Sequence, residues 1–364
     1  MRIDFKGRLI DEPQVRAGFI GCGGHSFRNL YPTFQFAPVQ LAATCDLSLD
    51  KARAFAAKFG APAAYDDYRR MIEREKLDCV FLCTGYDSAG RPTYPKLAAD
   101  CLDAGLHVWM EKPPAASCGE IQAVQERAAA AGKNVMVGLK KMFFPANEKA
   151  RRLMDEEGFG RPTLAMLQYP QYVPTEEEFQ RYQGGQKVNA VVSFLDHLCH
   201  PASAMILFLG MPSELYYRRS VTGAGLATFR FPGGALGSLA LTHGASRVGG
   251  MERTTIVSDA GRHIVVDNNV RVALHRGAPR GYGDVPDFYT SSAGEASAQW
   301  EPEFSLGQLY NKGLFLLGYY GEVNEFARSI LDGRAVAKGT LEHAWQVTRI
   351  FEAFTQGQGR NVSL

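Results

Sequence analysis

Five apolar runs alternate with amphipathic stretches along the first part of the chain. The runs cover residues 15–20, 39–45, 78–83, 107–110 and 134–139. Strands that are buried on both faces of a parallel sheet have this pattern. The stretches between them predict helices, with Ser48, Asp66 and a Ser117/Glu120 capping box at helix starts. Alternating strands and helices with short connections predict right-handed βαβ units and a doubly wound α/β sheet.

The second part of the chain has short runs separated by glycine-rich turns, which is the pattern of hairpins and meanders. These runs cover residues 226–231, 235–244, 252–259, 262–267 and 270–276. The chain has 364 residues, more than one hydrophobic core usually organises. We therefore predict two domains, residues 1–141 and residues 142–364.

Composition narrows the function classes. Hydrophobic residues make up 46% and charged residues 21% of the chain, as in an ordinary soluble protein. The formal net charge is only +2, so the chain lacks the excess of basic residues that is typical of nucleic-acid binding. The charged amino terminus lacks an export signal, and we expect no apolar run long enough to span a bilayer. Seven cysteines without a CxxC pair argue against disulfides and zinc. We expect a cytoplasmic protein that binds small molecules and has no nucleic-acid, membrane or metal partner.

The first strand runs into "GCGGHS", which contains Gly21, Gly23 and Gly24. Glycines allow a tight turn and a close approach to a pyrophosphate, although glycine turns without a ligand are also common. The second strand ends at Asp46, where a carboxylate can accept the ribose hydroxyls of an adenosine and would repel a 2′-phosphate. The sequence therefore favours NAD over NADP as cofactor. Lys51 and Arg53 lie close enough in sequence to weaken that exclusion.

The stretch "GLHVWMEKPPA", residues 105–115, ends a predicted strand with an acid, a base and two prolines. In a sheet that binds a dinucleotide at its strand ends, Glu111 and Lys112 would lie beside the nicotinamide. Because X-Pro bonds are where cis peptides occur, we predict a cis bond between Lys112 and Pro113. Such a turn would hold Lys112 in place, whereas a solvated lysine at a strand end is the ordinary alternative.

The chain resembles the Gfo/Idh/MocA family of oxidoreductases in its glycine turn, in Asp46 and in the stretches "AGLHVWMEKP" and "VMVGLKKMFFPAN". The resemblance extends over nearly the whole chain through "EEGFGRPTLAM" and "YYGEVNEFARSILDGR". The resemblance implies an N-terminal Rossmann domain. It also implies a C-terminal α+β domain with an open-faced, mostly antiparallel sheet that mediates homo-oligomerisation, as a dimer or tetramer, and a last helix that can pack back on the first domain. We expect the NAD contacts to come from Gly21, Gly23, Gly24, His25, Ser26, Asp46, Thr84, Glu111 and Lys112.

The stretch "SFLDHLCHPASAMILFLG" resembles the DxxxH element of the same family at Asp196 and His200. On a helix, residues four apart share a face, so the carboxylate could orient an imidazole that acts as general base. His197 points about 100° away and is the weaker candidate. Pro201 leaves two possibilities. Either the helix begins near Ser193 and is kinked by Pro201, which we favour, or it begins at Pro201 and the pair shares no face.

These features predict an NAD-dependent dehydrogenase that oxidises a secondary hydroxyl of a cyclic polyol or sugar derivative. In it, His200 would be the base, Asp196 would orient it, and Lys112 would polarise the reacting oxygen. One alternative is a redox-neutral, NAD-dependent glycosidase or lyase that oxidises the sugar transiently. Another is a non-catalytic regulator that binds NAD or a sugar, although a regulator needs no such trio of side chains.

Three segments depart from the family pattern. The stretch "NAVV" replaces the glycines that usually precede the DxxxH element. The loop "TGYDSAGRPTYP" lacks the histidine that family members usually have there. Residues 276–313 form a long segment rich in Gly, Pro and Ser that could be a lid, an oligomer contact or a disordered stretch. Its aromatic residues include Tyr282, Tyr289, Trp300 and Tyr310. The sequence leaves open the substrate, the choice between net and transient oxidation, and the oligomeric state.

Overall fold

The computed structural model describes residues 2–3, 8–156, 158–246, 248–277, 296–303 and 312–364. The amino-terminal strands β1 (Arg2–Ile3) and β2 (Leu9–Ile10) pair with each other in an antiparallel arrangement. Two larger sheets follow, one in each half of the chain, as the change in hydrophobic pattern predicts.

The first large sheet has six parallel strands in the spatial order β5-β4-β3-β6-β7-β8. The strands are β3 (Val15–Ile20), β4 (Val39–Cys45), β5 (Ala63–Tyr65), β6 (Cys79–Leu82), β7 (His107–Met110) and β8 (Val135–Val137). The helices between them are α1 (Leu49–Phe59), α2 (Tyr68–Arg74), α3 (Tyr94–Asp103) and α4 (Cys118–Ala131). This is the strand order of a dinucleotide-binding Rossmann fold, which confirms the predicted doubly wound sheet.

Local signals explain most of these elements. The Ser48 side chain caps α1, and Ser117 and Glu120 form the predicted capping box at α4. The predicted cap of α2 is wrong by one residue, because the Asp67 carboxylate, not that of Asp66, accepts the Arg69 N–H. The segment after the glycine turn is a π-helix, Ser26–Leu30, followed by a 3₁₀ helix, Tyr31–Gln35, rather than a regular α-helix. Pro32 has no N–H to donate within that segment, so regular i to i−4 bonding cannot continue.

The second large sheet has nine strands in the order β16-β15-β14-β13-β9-β12-β11-β10-β17. All neighbouring pairs are antiparallel except β9 and β12, so the sheet is mixed but mostly antiparallel. Its strands are β9 (Pro162–Tyr169), β10 (Glu214–Arg219), β11 (Gly225–Arg230), β12 (Leu236–Leu241), β13 (Arg253–Ser258), β14 (Arg262–Asp267), β15 (Arg271–Arg276), β16 (Ser297–Trp300) and β17 (Val362–Ser363). Alternate residues of these strands are buried, and the other face carries the exposed side chains of Met166, Leu226 and Leu236.

The helices of this half are α5 (Pro145–Asp155), α6 (Glu176–Gln183), α7 (Asn189–Leu209), α8 (Lys312–Leu316), α9 (Tyr319–Leu331) and α10 (Leu341–Phe354). A 3₁₀ helix, Lys140–Met142, precedes them. Helices α9 and α10 return to the first sheet and its helices. The Phe326 ring of α9 meets Phe81 of β6 edge-on with 5.4 Å between centroids, and the Glu352 carboxylate of α10 accepts the Cys118 N–H of α4 at 2.8 Å. The last two helices of the chain therefore pack against the first large sheet and its helices.

Helix α7 runs from Asn189 through Pro201 to Leu209. The helix therefore does not begin at Pro201, and Asp196 and His200 lie one turn apart on it. Contrary to our expectation, α7 is long and apolar enough, by length and composition, to cross a membrane. Within the fold, 67% of its apolar window is buried, as in the core helix of a folded domain.

Much of segment 276–313, for which the sequence left a lid, an oligomer contact and a disordered stretch open, lies outside the described residues, including Tyr282, Tyr289 and Tyr310. The part that is described contains β16, which pairs with β15 at the edge of the second sheet. Trp300 lies in β16, and the Lys149 Nζ of α5 is 4.3 Å from the centroid of its ring. This aromatic residue therefore packs on the second domain's own helix.

Candidate functional site

The glycine turn between β3 and the π-helix is shaped by backbone contacts. Gly21 has a φ of 114°, and a Cβ at this position would lie 2.1 Å from the Cys83 carbonyl oxygen, so only glycine fits. Gly23 faces open space, since a Cβ at this position would meet no atom within 4 Å. The Ser26 hydroxyl is buried in the turn, where it accepts the Gly23 N–H and donates to the Gly21 carbonyl, both at 3.0 Å. Ser26 thus stabilises the turn from within.

Asp46 lies directly beside this turn. One carboxylate oxygen accepts the Cys22 N–H at 2.8 Å, and the other accepts the Ser48 N–H at 3.0 Å. These bonds fix the plane of the carboxylate, and each oxygen retains a free lone-pair direction. Such an oriented carboxylate can accept two neighbouring ribose hydroxyls.

A cleft of about 960 Å³ extends along the carboxyl ends of the strands of the first sheet. It is lined by the glycine turn and Asp46 at one end and by the loop after β6 at the other, including Thr84 and Tyr86. A volume of this size lies near the upper end for small-molecule sites. The open Gly23, the oriented Asp46 and the volume of the cleft fit an NAD dinucleotide.

Other predicted cofactor residues contact one another in the protein. The His25 Nε2 lies 2.8 Å from Glu111 Oε1, and the other carboxylate oxygen accepts the Lys112 N–H at 3.0 Å. Burial alone would raise the pKa of Glu111, but the bond to His25 and the nearby lysine charges lower it, so the carboxyl is held ionised. The Thr84 hydroxyl lies 2.8 Å from that of Thr93. Glu111 thus links the glycine-turn side of the cleft to Lys112.

Lys112 stands at the end of β7, and the predicted cis bond to Pro113 is present. Its ammonium donates to Asp196 Oδ1 at 2.8 Å, which joins the two domains by an ion pair that is 13% exposed on the lysine and 22% on the aspartate. Burial lowers the pKa of Lys112, but the carboxylates of Asp196 and Glu111 outweigh it, so the pKa is raised and the side chain stays charged. The Tyr86 hydroxyl donates to the same oxygen of Asp196 at 2.9 Å.

His200 lies one turn after Asp196 and is 9% exposed. Burial, followed by the charges of Lys112 and two further lysines, holds its pKa well below the usual 6.5, so the imidazole is neutral. Among the described residues, the Asp196 carboxylate bonds to Lys112 and Tyr86, and its imidazole neighbour is His197 at 3.5 Å. The expectation that Asp196 orients His200 therefore needs correction: Oδ1 accepts from Lys112 and Tyr86, and the imidazole beside Oδ2 is that of His197.

Sequence reasoning missed three residues around this cluster, the half-buried Lys140 and the buried Lys141 and Glu322. Lys140 donates to the Tyr319 hydroxyl at 2.8 Å, and Lys141 forms an ion pair with Glu252. Glu322, in the first turn of α9, is fully buried with both carboxyl oxygens unpartnered among the described residues. Burial and the nearby charge of Glu111 hold its pKa well above 4.5, so it is protonated.

A signal for these residues exists in the sequence. Two adjacent lysines follow the last buried strand, and Glu322 occupies a position on the apolar face of α9 between Tyr319 and Phe326. A charged residue in such a position is expensive to bury unless it is paired or neutralised. Among the described residues, no group of three or more His, Cys, Asp or Glu side chains is arranged to hold a metal ion.

Comparison with known proteins agrees with this geometry. Residues 15–139 match the model of the Gfo/Idh/MocA oxidoreductase family, NAD-binding Rossmann fold. The chain is similar to D-xylose 1-dehydrogenase (NADP(+)) 2 of Haloferax volcanii, with 29% identity over 55% of this chain and 58% of that protein. It is also similar to myo-inositol 2-dehydrogenase of Thermotoga maritima, with 23% identity over 47% of this chain and 50% of that protein. The matches thus span about half the length of these relatives.

Solved structures match over nearly the whole chain. A dehydrogenase from Chromobacterium violaceum has a TM-score of 0.77 and covers 95% of this chain and 96% of its own, at 20% sequence identity. At this identity the similarity shows a shared fold. The second domain, which lies beyond the residues matched by the family model, therefore has the same architecture as in that protein.

Proposed function

We propose that the protein is an NAD-dependent dehydrogenase of the Gfo/Idh/MocA oxidoreductase family, since residues 15–139 match the NAD-binding Rossmann model of that family. Its substrate is a cyclic polyol or sugar derivative, of which it oxidises a secondary hydroxyl. The observation that carries this proposal is the buried ion pair between Lys112 and Asp196, next to a neutral His200, at the strand ends that border the dinucleotide cleft.

Each side chain has a separate role in the proposed reaction. Bound NAD would supply the acceptor for the hydride that leaves the carbinol carbon. His200, kept neutral by burial and by nearby lysines, accepts the hydroxyl proton. The charged Lys112 donates to the same oxygen and stabilises negative charge that develops on it. Asp196 holds Lys112 in position through its 2.8 Å bond.

Charge balance supports an uncharged substrate. Lys112 is paired with Asp196, and Lys141 is paired with Glu252. The third lysine near His200, Lys140, donates to the Tyr319 hydroxyl, so two of these three cations have carboxylate partners and the net attraction to an anion is small. The similar proteins from Haloferax and Thermotoga are named for xylose and myo-inositol, which are neutral and rich in hydroxyls.

The adenosine end supports NAD rather than NADP. The Asp46 carboxylate is fixed by two backbone N–H groups and would face the ribose hydroxyls, where a 2′-phosphate would meet like charge. Lys51 also lines the cleft, but it lies on the exposed surface of α1. The relative from Haloferax is named for NADP, so the carboxylate of this chain is the feature to test.

The direct test mixes the purified protein with NAD and a panel of cyclic polyols, free sugars and glycosides. Both reduced nicotinamide and the organic product are measured. Reduced cofactor that accumulates in step with a ketone is the expected result. Cleavage of a glycoside without reduced cofactor would instead establish transient oxidation, and binding without any turnover would favour a regulator.

Two variants test the assigned roles. Lys112→Met and His200→Ala should each lower kcat by at least about 10³-fold while the Kd for NAD changes little, because neither side chain shapes the glycine turn. Lys58→Met, on the exposed end of α1, and His197→Ala, 45% exposed on α7, are the matched controls. Equal losses in His197→Ala and His200→Ala would contradict the choice of base.

The open face of the second sheet is proposed to join copies of the chain. Met166, Leu226 and Leu236 are 42%, 56% and 53% exposed on this face, and exposed apolar sheet faces commonly form interfaces. Light scattering should give a dimer or tetramer, and Leu236→Glu should lower the mass. Val221→Glu, in the exposed turn between β10 and β11, should leave the mass unchanged.

A further inference from the structure

The loop after β6 is a closed structure. Its two ends are joined by the hydroxyls of Thr84 and Thr93 at 2.8 Å, and Tyr86 and Pro92 form an isolated bridge across it. The Asp87 carboxylate accepts the Ala89 and Arg91 N–H groups at 2.9 and 2.8 Å. The loop therefore holds Tyr86 at a fixed place although it contains no regular strand or helix.

The tip of the loop, at Gly90, contacts helices α6 and α7. The Tyr182 hydroxyl of α6 donates to the Gly90 carbonyl at 3.3 Å. A Cβ at Gly90 would lie 2.6 Å from the Val192 Cγ2, so the loop packs tightly against the first turn of α7. Helix α7 also carries Asp196, one turn further on. The loop and the carboxylate are thus fixed relative to each other by packing.

Tyr86 connects the dinucleotide cleft to the reacting groups. Its side chain lines the cleft, and its hydroxyl donates to Asp196 Oδ1 at 2.9 Å. The same oxygen accepts the Lys112 ammonium at 2.8 Å. Burial, and after it the charge of Asp196, raises the pKa of Tyr86, so the phenol keeps its proton and acts as a donor.

We infer that Tyr86 is a positioning residue for the oxidation, which acts through Asp196 to hold the Lys112 ammonium where it meets the reacting oxygen. This inference rests on the proposed function. Two donors on one carboxylate oxygen restrict rotation of the aspartate more than one donor does. Because Lys112 comes from the first domain and Asp196 from the second, loss of the Tyr86 bond would loosen the geometry on which the reaction depends.

The kinetic test compares three tyrosine to phenylalanine variants. Tyr86→Phe should lower kcat by about 10- to 100-fold, since small misplacements of a reacting group cost up to about 10² in rate. The Kd for NADH, from its fluorescence, should change by less than about twofold, because the ring remains in the cleft wall. Tyr94→Phe, which loses a bond to the Thr84 carbonyl, and Tyr182→Phe, which loses the bond to Gly90, control for loosening of the loop.

A double-mutant cycle decides whether Tyr86 acts through Asp196. In an Asp196→Asn background, Tyr86→Phe should reduce kcat by less than about twofold, because the carboxylate that it positions is gone. Equal factors in both backgrounds, or equal losses in Tyr94→Phe or Tyr182→Phe, would overturn the inference.

The four proteins of this cycle are the unmodified protein, Tyr86→Phe, Asp196→Asn and the double variant. Their unfolding by denaturant, without cofactor, is a measurement that needs no substrate. The unfolding equilibrium constant should show a coupling of about tenfold between positions 86 and 196, and its absence would also overturn the inference. No turnover by the unmodified protein would refute the proposed function, and the positioning role with it. Turnover with an uncoupled cycle would refute the role of Tyr86 alone.

Discussion

The proposed site has two ends that are built in different ways. At the proposed adenosine end, the glycine turn and Asp46 lie within short stretches of chain and are held by hydrogen bonds of the backbone. At the proposed reacting end, which adjoins the cleft at Tyr86, the side chains of Tyr86, Lys112 and Asp196 come from three distant stretches and are hydrogen-bonded to one another.

This difference indicates which kinds of substitution should disrupt each end. The adenosine end depends on space and backbone conformation at the glycine turn and on the one carboxylate of Asp46. The reacting end depends on several buried titratable groups, whose protonation is set by neighbours from both large sheets and their helices. Added atoms at the glycine turn should therefore abolish cofactor binding, and loss of the Asp46 charge should change cofactor choice, whereas changes in charge at the reacting end should abolish the reaction.

The largest effect on cofactor affinity is expected from Gly21→Ala. Its Cβ would lie 2.1 Å from the Cys83 carbonyl oxygen at a φ of 114°, so the backbone must move. Affinity for NAD should fall by more than about 100-fold, and the free energy of unfolding by about 3 kcal/mol. Calorimetric titration and chemical denaturation measure the two. Gly119→Ala, in the first turn of α4 where the Cβ meets no atom within 4 Å, should retain both.

Asp46→Ser should change cofactor choice without changing the reacting end. Loss of the charged acceptor removes about 1.5–3 kcal/mol of preference for the ribose diol. The ratio of kcat/KM for NAD to that for NADP should therefore fall by about 10- to 100-fold. Asp50→Ser, on the exposed first turn of α1, should leave the ratio unchanged. A ratio unaffected by Asp46→Ser would show that selectivity lies elsewhere in the cleft.

Glu322 should make stability depend on pH. Its pKa is about 4.5 in the unfolded chain and is raised by burial in the fold, so above pH 4.5 the folded state keeps a proton that the unfolded state releases. The free energy of unfolding then falls with rising pH by up to about 1.4 kcal/mol per unit. Glu322→Gln removes this slope, so its Tm should exceed that of the unmodified protein at pH 8, and the gap should close toward pH 4.5.

Glu325 on the same helix provides a control of opposite sign. Burial raises the pKa of Glu325, but its bonds to Arg334 and to the Ala337 N–H outweigh burial and lower it. Its stabilising contribution is present above pH 4.5 and is lost as the pH falls through the folded value. Glu325→Gln should therefore lower the Tm at neutral pH. A rise in both variants would contradict the assignment of Glu322 as the protonated acid.

The smallest effect is expected in the pH profile of the enzyme itself. Burial and the neighbouring lysines hold the pKa of His200 well below 6.5, so the base stays neutral under mildly acidic conditions. Between pH 8 and pH 6, kcat/KM should change by less than about twofold. A histidine with the ordinary pKa would lose about three-quarters of its neutral form over this range. An acid limb near pH 6.5 would show that another group is the base.

Much of the cofactor end could be predicted from the sequence because its signals are local. Strands β3, β4 and β7 coincide with apolar runs, and Gly21 and Asp46 follow directly from strand ends. The short strand β5 was missed, since its three residues are only half-buried and carry no apolar pattern. The fold of the second domain was predicted only as a class, because its strand order depends on pairings between distant segments.

The sequence by itself determined the doubly wound sheet, the glycine turn and the presence of Lys112, Asp196 and His200, because strand period, turn chemistry and motif spacing are properties of neighbouring residues. Only the tertiary structure decided which side chains meet. In the folded protein, Asp196 accepts hydrogen bonds from Lys112 and Tyr86 and not from His200, and Glu322 is buried near Lys140 and Glu111. Contacts and protonation states of this kind depend on distances across two domains and on exclusion from water, which no local pattern encodes.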